Sequence, residues 1–281
     1  MLGWIPEAAM TWIRAISLAA CLAATGVPAL AQTRSPSHCI AIARSAPDMV
    51  WQAKWGDPLP AETVRLSYVG HSTFLIETSG GLSVATDYTG RLGSADVVPD
   101  VVTMNHAHSS HWTSEPDARI PHVLQGWDYT GEPADHHLDL GEMLVRNVPT
   151  DIRGFGGTVE SAGNSIFVFE AAGLCIGHLG HLHHEPTPEQ YAALGRLDVV
   201  MAPVDGGMTL DLPTMIRVLQ RLRSSVVLPM HWFGPENLAR FLAGMEDDFV
   251  IEIRRESAVE VSLATLPSRP TVITLAPRPL D

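Results

Sequence analysis

The sequence predicts an α+β domain in which two β-sheets pack together with helices on the outside. The first half of the domain consists mainly of short strand-like runs joined by tight turns. The second half alternates strands with helices. The chain has 281 residues, of which 46% are hydrophobic and 17% charged, so it has enough apolar side chains for one large domain or two small ones.

The strands of the first half begin at residue 64, where apolar and polar residues start to alternate. Gly70 and His71 interrupt this run, and a turn at residues 79–81 ends the next one, which is typical of antiparallel strands. Another tight turn lies at residues 171–173, where the glycine can adopt a positive φ. The predicted strands of this half are residues 64–69, 72–77, 82–86, 101–105, 143–148, 164–170 and 174–177.

The second half contains clear helix signals. Thr187 followed by Pro188 is typical of a helix N-terminus, and the apolar residues of the segment 211–223 fall on one helical face. The predicted helices are residues 187–194, 211–223 and 235–245, and the predicted strands are residues 198–203, 225–229, 250–253 and 259–263.

Residues 1–31 are predicted to be a secretory signal peptide. Arg14 precedes an apolar, alanine-rich run at residues 15–27, and Ala29, Leu30 and Ala31 form a small-x-small cleavage site. The apolar run is short for a membrane span, and no later segment resembles one. We therefore expect the protein to be exported, which in a bacterium means that it is periplasmic.

Residues 32–62 are interpreted as an N-terminal extension that lies on the main domain, residues 63–281. Two details of the N-terminus stay open. Met10 is an alternative start, because the segment from Met10 to Arg14 makes a better charged region. The tetrapeptide that ends at Cys21 resembles a bacterial lipoprotein box, which would place a lipid anchor on this cysteine.

Cleavage after Ala31 leaves two cysteines, Cys39 and Cys175. Cysteines pair in oxidising compartments. However, Cys175 lies in an apolar strand-like run, where free cysteine is a common core residue. We therefore favour two free cysteines and keep a disulfide as the alternative.

The net charge of −13 argues against a nucleic acid as the main partner, because phosphate binding requires a basic surface. The sequence contains no GxSxG nucleophile elbow, no P-loop and no dinucleotide-binding fingerprint. The sequence therefore gives no support for a serine hydrolase, a P-loop protein or a dinucleotide-binding enzyme.

Eight of the 13 histidines fall in three groups, each directly after a predicted strand. Loops at strand ends commonly carry functional sites, and imidazole is a preferred ligand of zinc and other borderline metals. Three such loops at one sheet edge can surround a cation, which favours a metal site over a set of merely exposed imidazoles. The groups are His106, His108 and His111; His178, His181, His183 and His184; and His231.

The segment at residues 106–111, HAHSSH, is similar to the HxHxDH signature of the metallo-β-lactamase fold superfamily. Residues 68–77, followed by residues 85–87, resemble the opening hairpin of its lactonase-like branch. Three further short motifs, at residues 177–180, 187–190 and 229–231, occur in the order that this branch shows. The resemblance covers residues 63–265 and implies an αββα sandwich of two mixed β-sheets with a metal site at their edge.

Three departures from the family pattern affect the metal site. The aspartate of HxHxDH is Ser110 here, the aspartate that bridges two metals is His181, and a further histidine has no counterpart, with Asp151 as the nearest candidate. Carboxylates offset cation charge and allow two cations to lie close together. We therefore expect one divalent ion, zinc in first place, to bind more tightly than a second. The predicted ligands are His106, His108, His111, His181 and His231, supplemented by His178 and Asp151.

These features lead us to expect an exported metal-dependent hydrolase of a small ester, lactone or phosphoester. Asp87 and Asp151 are the predicted catalytic carboxylates, which would orient a water molecule or act as a base. The alternative is a non-catalytic metal- or ligand-binding member of the same fold, which the loss of the two aspartates favours.

Overall fold

The computed structural model of the chain describes residues 37–40 and 55–281. The predicted signal peptide and most of the predicted N-terminal extension lie outside these residues. The strands of the described part form two β-sheets, one of six strands and one of eight. No helix in this part is long and apolar enough to cross a membrane.

The smaller sheet has the strand order β13-β1-β2-β3-β4-β5. Strands β13, β1, β2 and β3 pair antiparallel, whereas β3, β4 and β5 pair parallel. The strands are β1 (Val64–Gly70), β2 (Thr73–Thr78), β3 (Ser83–Ala85), β4 (Val101–Met104), β5 (His122–Gln125) and β13 (Ala258–Val261).

The larger sheet has the order β12-β14-β11-β10-β9-β8-β7-β6. It is parallel from β12 to β9 and antiparallel from β9 to β6. The strands are β6 (His137–Asp139), β7 (Met143–Arg153), β8 (Val159–Ala171), β9 (Leu174–His178), β10 (Val199–Pro203), β11 (Val226–Met230), β12 (Val250–Ile253) and β14 (Thr271–Thr274).

The main core lies between the two sheets, because side chains alternate across each strand. In β2, Phe74 and Ile76 face the larger sheet, where they join Phe167 and Met201, whereas Leu75 packs on the opposite face. A buried Phe, Leu, Ile or Met side chain contributes about 1.5–3 kcal/mol of hydrophobic free energy. This layer therefore holds the two sheets together.

In residues 37–40 and 55–281, three α-helices cover the outer face of the larger sheet: α1 (Pro188–Leu194), α2 (Leu212–Leu222) and α3 (Pro235–Met245). Thr187 and Gln190 form a reciprocal capping box at the start of α1. The outer face of the smaller sheet is covered in the described residues by irregular chain that contributes Tyr88, Ile120 and Trp127. The predicted α+β sandwich of two mixed sheets is confirmed.

Some elements differ from the prediction. Strands β5, β6 and β14 were not predicted. The short strands β5 and β6 have only one or two apolar residues each, and β14 lies between proline-containing segments that indicate turns. The hairpin of β7 and β8 extends to residues 153 and 159, past the predicted strand ends. Hydrogen bonding to the neighbouring strand continues this hairpin through a polar sequence whose pattern does not indicate a strand.

Cys39 and Cys175 form a disulfide with Cα atoms 5.7 Å apart, so the favoured assignment of two free cysteines is wrong. Both are buried in the core beneath the helices, and Cys39 accepts a hydrogen bond through its carbonyl from the Arg196 backbone. Ser37 donates a hydrogen bond to Glu170 in β8. The segment at residues 37–40 therefore lies on the outer face of the larger sheet, where the side chain of Cys175 emerges.

Candidate metal centre

Six histidines from both sheets gather at one end of the sandwich, where the strands that precede them end. The centroids of contacting rings lie between 4.1 and 6.4 Å apart. The structure thus brings together five predicted ligands and one histidine that was not predicted. From the smaller sheet they are His71, His106, His108 and His111, and from the larger sheet His181 and His231.

Three of these residues, His71, His111 and His231, form a compact cluster that we call the tight group. One ring nitrogen of each residue lies within 4.8 Å of the others. The rings of His71 and His231 have centroids 4.1 Å apart. His71 was missed as a ligand, although it follows the end of β1 just as the predicted histidines follow their strands. The same strand-end signal identifies it.

One carbonyl connects the two sheets within this group. The carbonyl oxygen of His71 accepts hydrogen bonds from the Tyr68 hydroxyl at 2.7 Å and from the backbone N–H of His231 at 2.9 Å. Tyr68 belongs to the smaller sheet, whereas His231 follows a strand of the larger one. The backbone at His71 therefore positions both histidines relative to each other.

The backbone around the site is strained. Eight non-glycine residues in the described part of the chain have positive φ, and four of them are His71, Asp87, His231 and Phe233, with φ between 45° and 58°. Such conformations are unfavourable for residues with a Cβ and concentrate at functional sites. The surrounding structure therefore imposes these positions on the site.

Two buried carboxylates orient two of the histidines. Asp87 accepts a hydrogen bond from Nδ1 of His111 at 2.7 Å, and Asp205 accepts one from Nδ1 of His231 at 2.8 Å. A carboxylate at Nδ1 fixes the tautomer and leaves Nε2 as the metal-binding nitrogen. Asp205 was missed, although it lies two residues after the predicted strand 198–203.

The hydrogen bonds keep both carboxylates ionised despite burial. Burial alone would raise the pKa of Asp87, but His111 and the Asn105 backbone lower that pKa to about 2. Burial opposes ionisation of Asp205 too, yet His231 and Thr209 hold its pKa well below the usual range. His111 and His231 therefore each face a negative charge at Nδ1, which would favour binding of a cation at Nε2.

The surroundings of Asp87 differ from its predicted catalytic role, in which it would orient a water molecule or act as a base. It is fully buried, and its two carboxylate oxygens accept hydrogen bonds from His111 and from the backbone of Asn105. An oxygen held in this way behind a histidine does not face a substrate. Asp87 is therefore a positioning residue for His111.

A second group is formed by His106, His108 and His181. Nδ1 of His106 donates to the carbonyl of Gly163 at 2.7 Å, and Nδ1 of His108 lies 2.9 Å from the Ser110 hydroxyl. These contacts leave Nε2 of both residues available. The ring of His181 lies 5.3 Å from that of His106 and 4.6 Å from that of His111, so His181 is the member of the second group that also contacts the first.

Burial keeps several of these imidazoles neutral. Desolvation, together with neighbouring histidines, lowers the pKa of His71 to about 4 and that of His181 to about 2. Burial also lowers the pKa of His106. Neutral imidazole is the form that binds a metal ion, so these side chains are available as ligands at neutral pH.

His178 is a correction to the predicted ligand set. Its Nε2 donates to the carbonyl of Ser72 at 2.7 Å, and its Nδ1 lies 3.2 Å from both the Asn105 amide and the Gly180 backbone N–H. With both ring nitrogens in hydrogen bonds and no exposed surface, His178 connects the two sheets. It has no nitrogen left for a metal.

Asp151 also differs from its predicted roles as catalytic residue and supplementary ligand. It is an exposed residue of β7, and its carboxylate accepts a hydrogen bond from the backbone of Ala162. Near the histidine cluster, the Asn164 amide donates to the Thr150 hydroxyl at 2.8 Å, and its oxygen accepts a hydrogen bond from the backbone of His181.

The residues of the tight group fit a divalent cation. Nε2 of His71 and of His111 are buried and have no hydrogen-bond partner among the described residues, which is costly unless a ligand occupies them. Three imidazoles with an open fourth position are a common donor set for catalytic zinc. His71, His111 and His231 would hold the ion, and His181 is the nearest further ligand.

Replacing Asp205 by asparagine is expected to weaken metal binding about 10- to 100-fold, because the charge that fixes the His231 tautomer is lost. Asp87→Asn is expected to act in the same way through His111. Competition with a chromophoric chelator measures the affinity. The matched control is Asp247→Asn, an exposed aspartate beyond α3, and equal affinities in all variants would contradict the positioning role.

Comparison with known proteins is consistent with this centre. The family model described as "Beta-lactamase superfamily domain" matches residues 65–231. A UPF0173 metal-dependent hydrolase of Nanoarchaeum equitans is 23% identical over 60% of this chain and 84% of its own length. Another, from Methanoculleus marisnigri, is 25% identical over 71% of this chain and 93% of its own length.

Solved structures show the same architecture. A Thermotoga maritima protein, described as a candidate zinc-dependent hydrolase of the metallo-β-lactamase superfamily, matches with a TM-score of 0.55 and 25% identity. The match covers 75% of this chain and 98% of that protein. A protein from Parabacteroides distasonis, described as a candidate metal-dependent hydrolase, matches with a TM-score of 0.52 at 13% identity. This match supports the fold alone.

Proposed function

The chain belongs to the metallo-β-lactamase superfamily and is a metal-dependent hydrolase, and from this premise we propose that it hydrolyses a small ester, lactone or phosphoester outside the cytoplasm. The observation that carries the proposal is the convergence of His71, His111 and His231, two of which are oriented by buried carboxylates. The relatives described as metal-dependent hydrolases favour the enzyme over the non-catalytic alternative.

The chemistry follows from the donor set. A divalent ion held there would polarise a carbonyl or phosphoryl oxygen and lower the pKa of a water molecule to about 7. Asp87 and Asp205 keep their histidines in one tautomer and add negative charge behind them. Phe233, which is 62% exposed, packs its ring against His71 and His231 and shields one side of the site from water.

The size of the opening supports a small substrate. A cavity of about 330 Å³ adjoins the site and is lined by His71, Ser109 and Ser110. Pockets of roughly 300–1,000 Å³ are typical of small-molecule sites. The substrate would therefore bind on the side of His71 that faces the loop after β4.

We propose that one zinc ion binds tightly at the tight group and that any second ion binds more weakly. The second group has three imidazoles but no carboxylate, because Ser110 and His181 stand where the family has aspartates. Two close cations would therefore lack a bridging negative charge. Plasma emission spectrometry of protein prepared without chelator is expected to give close to one zinc per chain.

Export is supported by the cleavable pattern at residues 1–31 and by the disulfide between Cys39 and Cys175, since structural disulfides are rare in reducing compartments. Expression of the full chain in a Gram-negative host followed by fractionation tests this proposal. The protein is expected in the periplasmic fraction without reactive thiols. Full-length protein with free thiols in the cytoplasm would contradict it.

Metal removal provides the test of the activity. Extensive dialysis against a chelator is expected to abolish hydrolysis of 4-nitrophenyl esters or bis(4-nitrophenyl) phosphate, and added zinc is expected to restore it. The control is protein dialysed without chelator. Hydrolysis that persists after the ion is gone would contradict the proposed mechanism.

A further inference from the structure

The wall of the cavity beside His71 includes one arginine. Arg91 is exposed and lines the same cavity as His71 and Ser110. No hydrogen bond or ion pair is found for the Arg91 guanidinium among the described residues, and unlike the other unpaired arginines it lines the cavity beside a candidate metal ligand. Its charge is therefore available to a ligand.

The lining around Arg91 is free of acids. In the described residues Arg91 is the one formally charged side chain of the cavity wall, which also presents the hydroxyls of Thr89, Ser109 and Ser110. The nearby Asp87 is fully buried, and its charge is taken up by His111 and Asn105. In a chain with a net charge of −13, this cavity is thus a local site for an anion.

The loop that carries Arg91 is held at both ends. The hydroxyl of Tyr88 donates to the carbonyl of Gly90 at 2.9 Å, and the carbonyl of Leu92 accepts from the backbone of Leu280 at 2.9 Å. Tyr88 and Leu92 are both buried in the core under this loop. The backbone that presents Arg91 is therefore pre-organised, which reduces the entropy lost when a ligand binds.

From these observations we infer that the substrate carries an oxyanion, either a carboxylate or a phosphate, which Arg91 binds next to the metal centre. The inference rests on the proposed function and specifies its substrate class. A guanidinium forms two parallel hydrogen bonds with either oxyanion, and the hydroxyls of Thr89 and Ser109 can donate to the remaining oxygens. Because His71 belongs to both cavity and tight group, a bound oxyanion places the rest of the substrate against the metal ligands.

A pair of esters that differ in one charge tests the inference. Mono(4-nitrophenyl) adipate and 4-nitrophenyl hexanoate have the same leaving group and the same acyl length, but only the first carries a carboxylate. With zinc-loaded wild-type protein, kcat/KM is expected to be roughly 10- to 100-fold higher for the adipate ester than for the hexanoate ester. This ratio corresponds to the binding free energy of a hydrogen bond between charged groups.

The variants are Arg91→Ala, Arg91→Lys and, as matched control, Arg269→Ala, an exposed arginine just before β14. Arg91→Ala is expected to raise KM for the adipate ester about 10- to 100-fold with little change in kcat, and to leave the hexanoate ester unaffected. Arg91→Lys is expected to recover part of the loss. Equal adipate kinetics in wild type and Arg91→Ala would overturn the inference while the hydrolase function stands.

Calorimetry with zinc-loaded protein tests the inference without turnover. Inorganic phosphate and adipate are titrated into the wild type, Arg91→Ala and Arg269→Ala. At least tenfold weaker binding in Arg91→Ala alone supports the oxyanion site, and the anion that shows this loss identifies its chemistry. Equal binding of both anions in all three proteins overturns the inference, even if neither ester is hydrolysed and the proposed function fails.

Discussion

Replacing His111 by alanine is expected to remove the tightly bound metal and to reduce hydrolysis by more than about 100-fold. This loss exceeds the roughly 10- to 100-fold effect of removing a residue that only orients a ligand. His111 is fully buried, is held by Asp87, and has a ring within contact distance of His71, His181 and His231. Metal content by emission spectrometry and kcat/KM on a 4-nitrophenyl ester are the measurements.

Three further variants identify the group that holds the ion. If the tight group binds it, His71→Ala and His231→Ala lower zinc affinity more than His106→Ala does. The matched control is His184→Ala, an exposed histidine in the loop after β9, which should keep both metal and activity. Circular dichroism verifies that each variant is folded. A folded His111→Ala protein with full metal content would refute the proposed centre.

Removing the disulfide is expected to lower the free energy of unfolding by about 2–5 kcal/mol, since the bond closes a loop of 136 residues in the unfolded chain. At roughly 2–4 °C per kcal/mol for a domain of this size, the melting temperature falls by about 4–20 °C. Urea unfolding of Cys39→Ala and Cys175→Ala, followed by tryptophan fluorescence, measures the effect.

The double variant and a reductant serve as controls for this prediction. Either single variant breaks the same bond, so the double variant is expected to be about as stable as the less stable single one, and the two effects do not add. Dithiothreitol is expected to destabilise the wild type but none of the variants. A wild type insensitive to reductant under unfolding conditions would contradict a stabilising disulfide.

The fold was largely predictable because its signals are local. The buried strands β10 and β11 are continuous apolar runs, and Thr187 and Asp211 begin helices through their own side chains. The disulfide was not predictable in the same way. The pairing of Cys39 with Cys175 depends on the path of the segment at residues 37–40 across the sheet, which no local pattern specifies.

The gathering of the histidines was predictable from the sequence, but the contacts of each residue were not. Histidines after strand ends predicted the sheet edge at which six of them gather, yet His178 also follows a strand and joins the two sheets through a hydrogen bond to Ser72. Its role depends on which atoms face its two nitrogens, and that is set by packing of distant segments. The same reason explains why Asp87 supports His111 and why Asp151 lies outside the centre.

The shared carbonyl of His71 has a consequence for how the activity responds to distant substitutions. Because one peptide oxygen binds both the Tyr68 hydroxyl and the backbone of His231, the distance between the rings of His71 and His231 depends on the spacing of the two sheets at that end of the molecule. A substitution that changes the packed interior below, for instance at Phe74, is therefore expected to alter the geometry of the proposed metal centre without replacing any of its histidines.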